Sequence, residues 1–156
     1  MQCKGMEFAA YLPQHNPGYP WALAGSHMSM KTYLLCLNEK ETGMDYWVDA
    51  ITNRGLVILR DDFTGVCKFN GLPNDLMAQA IEVLTGVAVT ANDLETMIRR
   101  TFLRGFQLEK VQGFTDEDYN MPDEVHDEYP QIELPYFNTK EFFTELRGKV
   151  QTRFNE

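Results

Sequence analysis

The sequence has few cysteines and no long apolar run. Cys3, Cys36 and Cys67 lie far apart, and no CxxC pair or Cys/His cluster accompanies them. The chain by itself is therefore expected to form neither a zinc site nor a disulfide framework, and unclustered thiols favour a reduced, cytoplasmic location. No stretch approaches the ~18 apolar residues of a membrane span, and residues 1–5 do not begin a secretory signal.

Basic side chains are also scarce. The 156 residues carry 23 acidic and 14 basic side chains, a formal charge of -9. A nucleic-acid binder needs clustered Lys and Arg, so nucleic acid is not an expected partner. The length suits one globular domain over residues 1–156, or a fragment or subunit of a larger protein. Residues 116–145 hold ten acids and one base, Lys140, which fits either a solvated surface or a docking face for a basic partner.

Strand patterns are nearly absent, with weak signals at 55–60 and 86–90 only. Residues 1–20 are rich in proline and predict an extended loop. Apolar side chains recur at three- and four-residue steps and predict helices over 21–37, 44–59 and 74–84. Thr90 and Asp93 resemble a capping box that opens a further helix to about Phe106. Asn138 is expected to cap a last helix to about Phe154, after an acidic irregular segment over 114–137. The fold class is mainly α.

One short stretch between two predicted helices carries candidate chemistry, Asp62-Phe63-Thr64-Gly65-Val66-Cys67. Backbone N–H groups at a turn or helix start favour anions and thiolates. A glycine there can adopt positive φ and let the backbone approach a ligand, and a thiolate is the form of cysteine that binds metal. The structural alternative is a turn in which Asp62 caps a helix and Cys67 packs inward.

This D-x-x-G-x-C stretch resembles the last conserved motif of the aldehyde:ferredoxin oxidoreductase family, whose members use a tungsten or molybdenum bis-pterin and an iron–sulfur cluster. Other segments are similar to family motifs in the same order, and together they span about residues 3–125. They are Lys4-Gly5-Met6-Glu7, Leu84-Thr85-Gly86 and Gly113-Phe114-Thr115-Asp116-Glu117-Asp118. The resemblance implies a helical, bundle-like domain equivalent to the C-terminal domain of a three-domain enzyme.

The resemblance also implies roles for particular residues. Asp62 would hydrogen-bond the amino-pyrimidinone edge of the pterin, while Gly65 and Val66 would lie along the pterin through their backbone. Cys67 would be the fourth ligand of a [4Fe–4S] cluster. The other three thiolates would come from missing N-terminal domains or from a partner subunit with three clustered cysteines. The catalytic histidine would be His27, although another register of that helix puts Ser29 at the position.

The implied reaction is oxidation of an aldehyde to a carboxylic acid, with ferredoxin as the electron acceptor. The isolated chain is expected to be inactive. Gln14 and Tyr119 depart from the family pattern and indicate a divergent branch, for which reduction of aromatic-ring thioesters is an alternative reaction. A hypothesis of another class is a helical interaction or scaffold domain that kept the fold but lost the cofactors.

Overall fold

A computed structural model describes residues 2–7, 17–22, 43–67, 71–126 and 139–156. These residues are mainly helical, as predicted. The α-helices are α1 (Met44–Thr52), α2 (Val57–Thr64), α3 (Asn74–Thr85), α4 (Ala91–Val111) and α5 (Lys140–Asn155). Strands β1 (Gln2–Cys3) and β2 (Met6–Glu7) pair antiparallel within the predicted N-terminal loop. The helix expected over 21–37 lies outside the described residues beyond Ala22.

The helix predicted over 44–59 is wrong as a single element. α1 ends at Thr52, a 3-10 turn covers Arg54–Leu56, and α2 then runs to Thr64. Asn53 and Gly55 are poor helix formers, so the helix breaks where they occur. Arg54 closes the break by donating to Asp49 Oδ2 over 2.7 Å and to the Tyr46 carbonyl over 3.1 Å. The weak strand signal at 55–60 is therefore also wrong.

α3 confirms the predicted helix from Asn74, but the apolar face on which the spacing places Leu76, Ala80, Ile81 and Leu84 is not the buried face. Met77 and Ala78 are buried, whereas Leu76 and Leu84 are exposed. The reason is that apolar residues occur on both sides of this helix, and spacing alone does not say which side meets the core. After Gly86 the chain reaches α4 without forming the strand suggested at 86–90.

α4 begins with the predicted capping box. Thr90 Oγ1 accepts from the Asp93 N–H over 3.1 Å, and Asp93 Oδ2 accepts from the Thr90 N–H over 2.9 Å. The helix continues beyond the predicted end at Phe106, to Val111. At α5 the cap is Thr139 and not Asn138, with Thr139 Oγ1 accepting from the Phe142 N–H over 3.1 Å.

The main core joins α1, α4 and α5 with the 3-10 turn at Tyr19–Trp21. Phe102, Phe106 and Phe154 form its aromatic centre, with ring centroids 4.8 Å apart for Phe102 and Phe154. A smaller apolar cluster of Met77, Ala78 and Leu94 joins α3 to α4. None of the helices in the described ranges is both long and apolar enough to cross a membrane.

Candidate functional site

The D-x-x-G-x-C stretch forms the C-terminal end of α2 and the turn that follows it. Gly65 ends the helix with φ 71° and ψ 18°, the left-handed conformation that glycine adopts readily. Its N–H donates to the Asp61 carbonyl, and the Val66 N–H donates to the same oxygen over 3.0 Å. Asp62, Phe63 and Thr64 are therefore the last residues of a helix and not the residues of an open turn.

This geometry corrects the predicted chemistry of the turn. The N–H groups of Gly65 and Val66 are already donated to the helix, so they are not available to an anionic ligand. A helix C-terminus instead presents carbonyl oxygens and the negative end of the helix dipole, which favour cations and N–H donors. The sequence-based expectation of an anion-attracting helix start at this position is wrong.

The buried Arg60 side chain pairs with Asp61 and also contacts residues at the start of α3. Arg60 Nε donates to Asp61 Oδ1 over 2.8 Å, and Arg60 Nη1 donates to the Leu72 carbonyl over 2.8 Å and to Asn74 Oδ1 over 2.7 Å. Arg60 is 3% exposed and Asp61 is 4% exposed. One guanidinium thus joins the end of α2 to the start of α3. The adjacent opposite charges were a signal that the sequence analysis passed over.

The turn presents both candidate side chains outward. Asp62 and Cys67 are exposed, so the alternative in which Cys67 packs inward is wrong. Val66, between them, is half-buried and packs against Met77 and its neighbours in the smaller apolar cluster. Asp62 lies near the C-terminal end of α2, so it does not cap the N-terminus of a helix.

Cys3 differs from Cys67 in its surroundings. It is buried, and its thiol donates a hydrogen bond to the Asn120 carbonyl oxygen, with Sγ 3.4 Å from that oxygen. Burial raises the pKa of the Cys3 thiol to about 11, so Cys3 is protonated at neutral pH and is a poor metal ligand. Cys3 is thus a small side chain in the core. Cys36 lies outside the described residues.

The Lys4-Gly5 segment near the N-terminus forms a hairpin turn whose lysine contacts α4. Lys4 (φ 52°) and Gly5 (φ 74°) make the two-residue turn between β1 and β2, a backbone typical of tight hairpins. Lys4 Nζ donates to Glu109 Oε1 over 2.9 Å and to the Ala22 carbonyl over 2.8 Å. Tyr119 Oη donates to Glu109 Oε2 over 2.8 Å. Sequence reasoning missed Glu109, whose position on a polar stretch of α4 gave no signal of burial.

A cleft of about 580 Å³ adjoins this hairpin, and Cys3, Lys4, Gly5 and residues 117, 118 and 120–124 line it. It does not include the 62–67 turn. Within the described part of the chain, no three His, Cys, Asp or Glu side chains are grouped so that they could hold a metal ion. His27 and Ser29 lie outside the described residues.

No protein-family model, curated protein or solved structure was found to match the chain. The assignment to the oxidoreductase family consequently depends on the motifs quoted above.

Proposed function

We propose that the chain is the C-terminal part of a tungsten- or molybdenum-pterin, [4Fe–4S] oxidoreductase that converts aldehydes to carboxylic acids with ferredoxin as acceptor. The observation that carries the proposal is the exposure of Asp62, in the last turn of α2, and of Cys67, just after the helix ends, next to the Arg60 contacts. A helix end with an exposed carboxylate and a nearby exposed thiol suits a surface that completes a site shared with another domain.

The two side chains have separate roles in this proposal. Asp62 would accept hydrogen bonds from the amino-pyrimidinone edge of the pterin, a contact that suits the electronegative end of α2 because the ligand edge donates N–H groups. Cys67 would provide one thiolate to a cluster that needs four. The metal and pterin supply the redox chemistry when bound, and the chain positions them. The isolated chain is inactive, and the complete enzyme is cytoplasmic.

The residues fit the cofactors in part. An exposed cysteine can reach a cluster held by a neighbouring domain, while the described residues offer no further clustered ligands. The remaining three thiolates therefore belong to missing N-terminal domains or to a partner subunit. His27 stays the proposed catalytic histidine.

The second candidate is an interaction or scaffold domain that kept this fold without the cofactors. The observation that favours it is the exposure of apolar side chains near the C-terminal end of α3, where Val83 is 84% and Leu84 is 83% exposed. Both candidates require a partner, so metal content distinguishes them.

The test is to produce the chain together with a partner that carries three clustered cysteines, then to measure iron, tungsten and molybdenum by elemental analysis. Cys67→Ala is expected to lower the iron content of the complex, and Asp62→Ala is expected to lower pterin content more than iron. Cys3→Ser is the matched thiol control and should retain iron, because its hydroxyl can still donate to the Asn120 carbonyl. A complex whose iron does not change with Cys67→Ala would contradict the ligand role and favour the scaffold.

A further inference from the structure

The outward side of α4 carries an exposed ridge that mixes two arginines with apolar side chains. We call Met97, Arg100, Arg104, Leu108 and Val111 the arginine ridge. Their spacing of three or four residues along a helix puts them on one face. Met97 is 48%, Leu108 is 56% and Val111 is 83% exposed, and both arginines are exposed. The opposite side of α4 is buried through Ile98, Phe102 and Phe106.

The ridge arginines lack the carboxylate partners that most other described cations have. Lys4, Arg54, Arg60, Lys110, Lys140, Arg147, Lys149 and Arg153 each lie in an ion pair. Arg99 donates instead to the Thr52 and Arg153 carbonyls, at the ends of α1 and α5. Within the described ranges, neither Arg100 nor Arg104 takes part in any of these ion pairs.

The sequence of α4 also places no acidic residue within one turn of either ridge arginine. Arg100 and Arg104 are one turn apart, and the residues three and four positions from each include no acid. Like charges at this spacing destabilise a helix slightly, because they repel each other. In a chain of net charge -9, two adjacent cations without acidic neighbours are a local exception that an acidic ligand would stabilise.

From this charge complementarity we propose that the arginine ridge docks an acidic amphipathic helix of a partner protein. The partner would place two carboxylates one turn apart against Arg100 and Arg104, since guanidinium groups bind carboxylates through paired hydrogen bonds. Its apolar side chains would cover Met97 at one end and Leu108 and Val111 at the other, because an apolar stripe beside charge is a usual helix-docking surface. This inference does not depend on the proposed function.

Other occupants are less suited to the same surface. An anionic membrane or a nucleic acid presents extended negative charge, which the net charge of -9 repels at long range. A second copy of the chain would have to offer exposed acids, but three of those between residues 116 and 123 already pair with Lys110, Arg147 and Lys140. A short acidic segment of another protein carries only a few negative charges, so the long-range repulsion is smaller and the two arginines can offset it locally.

The experiment uses a fluorescein-labelled synthetic helical peptide with two glutamates one turn apart, flanked by leucines, titrated with the full chain by fluorescence anisotropy. We expect saturable binding that weakens with salt, and Arg100→Glu with Arg104→Glu should weaken it about tenfold or more. The matched control is Lys149→Glu with Arg153→Glu, which changes the net charge equally at exposed positions of α5 and should leave binding within about twofold. Circular dichroism verifies that both double variants fold.

Several outcomes would overturn the proposal. They are no binding of the peptide, equal weakening by both double variants, or equal binding of a peptide whose glutamates are replaced by glutamine. Binding to phosphatidylserine vesicles in preference to the peptide would show that the ligand is a membrane. Ridge-dependent self-association in sedimentation experiments without peptide would show that the occupant is a second copy.

Discussion

At the scale of single residues, Lys4 shows how a small hairpin is attached to the helices. Its side chain is 2% exposed and that of Glu109 is 10% exposed, so both charges are removed from water. Three contacts compensate the ammonium group: the Glu109 carboxylate, the Ala22 carbonyl and the ring of Tyr119, whose centroid is 4.9 Å from Nζ. Burial and the Glu109 carboxylate also raise the pKa of Tyr119, which therefore remains a donor.

Removing one partner of this pair should destabilise the chain more than removing both. Lys4→Met leaves Glu109 as a buried charge without a partner, and Glu109→Gln leaves Lys4 in the same state. Each substitution is expected to lower the free energy of unfolding by about 3–5 kcal/mol. The double variant is expected to cost clearly less than the sum of the two, since no buried charge remains. Urea unfolding followed by the fluorescence of buried Trp21 and Trp47 measures all three. Additive costs would contradict a direct coupling.

The sequence predicted some of the local contacts of single residues but not others. The capping box at Thr90 followed from the local rules of helix caps, whereas the hairpin turn at Lys4 and Gly5 was not predicted within the N-terminal loop. Glu109 and Arg60 were not predicted to be buried, because a charged side chain is normally expected at the surface. Their burial depends on partners far away in sequence, such as Lys4 for Glu109 and Leu72 for Arg60.

At the scale of elements, the end of α2 determines what the candidate turn can bind. The helix closes onto the Asp61 carbonyl through two N–H groups, and this closure requires Gly65 in the left-handed conformation. The Asp62 carboxylate therefore lies at the electronegative end of a helix. A ligand with N–H donors suits this end, whereas an anion would be repelled.

Gly65→Ala is expected to destabilise the chain by about 1–2 kcal/mol, the usual cost of a left-handed backbone for a residue with a Cβ. No atom lies within 4 Å of the added Cβ, so the cost is in the backbone and not in a clash. Gly148→Ala is the matched control, because Gly148 lies inside α5 with open space around it. It should stabilise by up to about 1 kcal/mol. Thermal unfolding compares them, and equal effects would contradict the role assigned to Gly65.

At the scale of the whole molecule, α3 buries two apolar side chains and leaves others exposed. The inner side packs on α4 through Met77 and Ala78, while Leu76, Val83 and Leu84 stay exposed. Val87, just beyond the helix, is also exposed. Clustered exposed apolar side chains are typical of interaction surfaces, so these residues are the ones to test for association.

Val83→Lys combined with Leu84→Lys should therefore change the free energy of unfolding by less than about 0.5 kcal/mol, because exposed positions contribute little to stability. The same variant should raise the solubility of the isolated chain and weaken its association with a partner. Met77→Lys, at a position that is 3% exposed, should instead unfold the chain. Urea unfolding and static light scattering measure these effects. Strong destabilisation by the first variant would show that this side is buried in the folded chain.

The sequence alone determined the helical class and most helix starts, since these depend on local spacing, caps and residue type. Helix ends, the buried side of α3 and the polarity of the 62–67 turn were decided by tertiary structure. They depend on which groups meet across the fold: Arg54 with Asp49 at the break after α1, and Arg60 with Leu72 and Asn74 around the turn. Contacts of this kind leave no periodic trace in a sequence, because neither a polar side chain nor a backbone carbonyl reveals its partner by residue type.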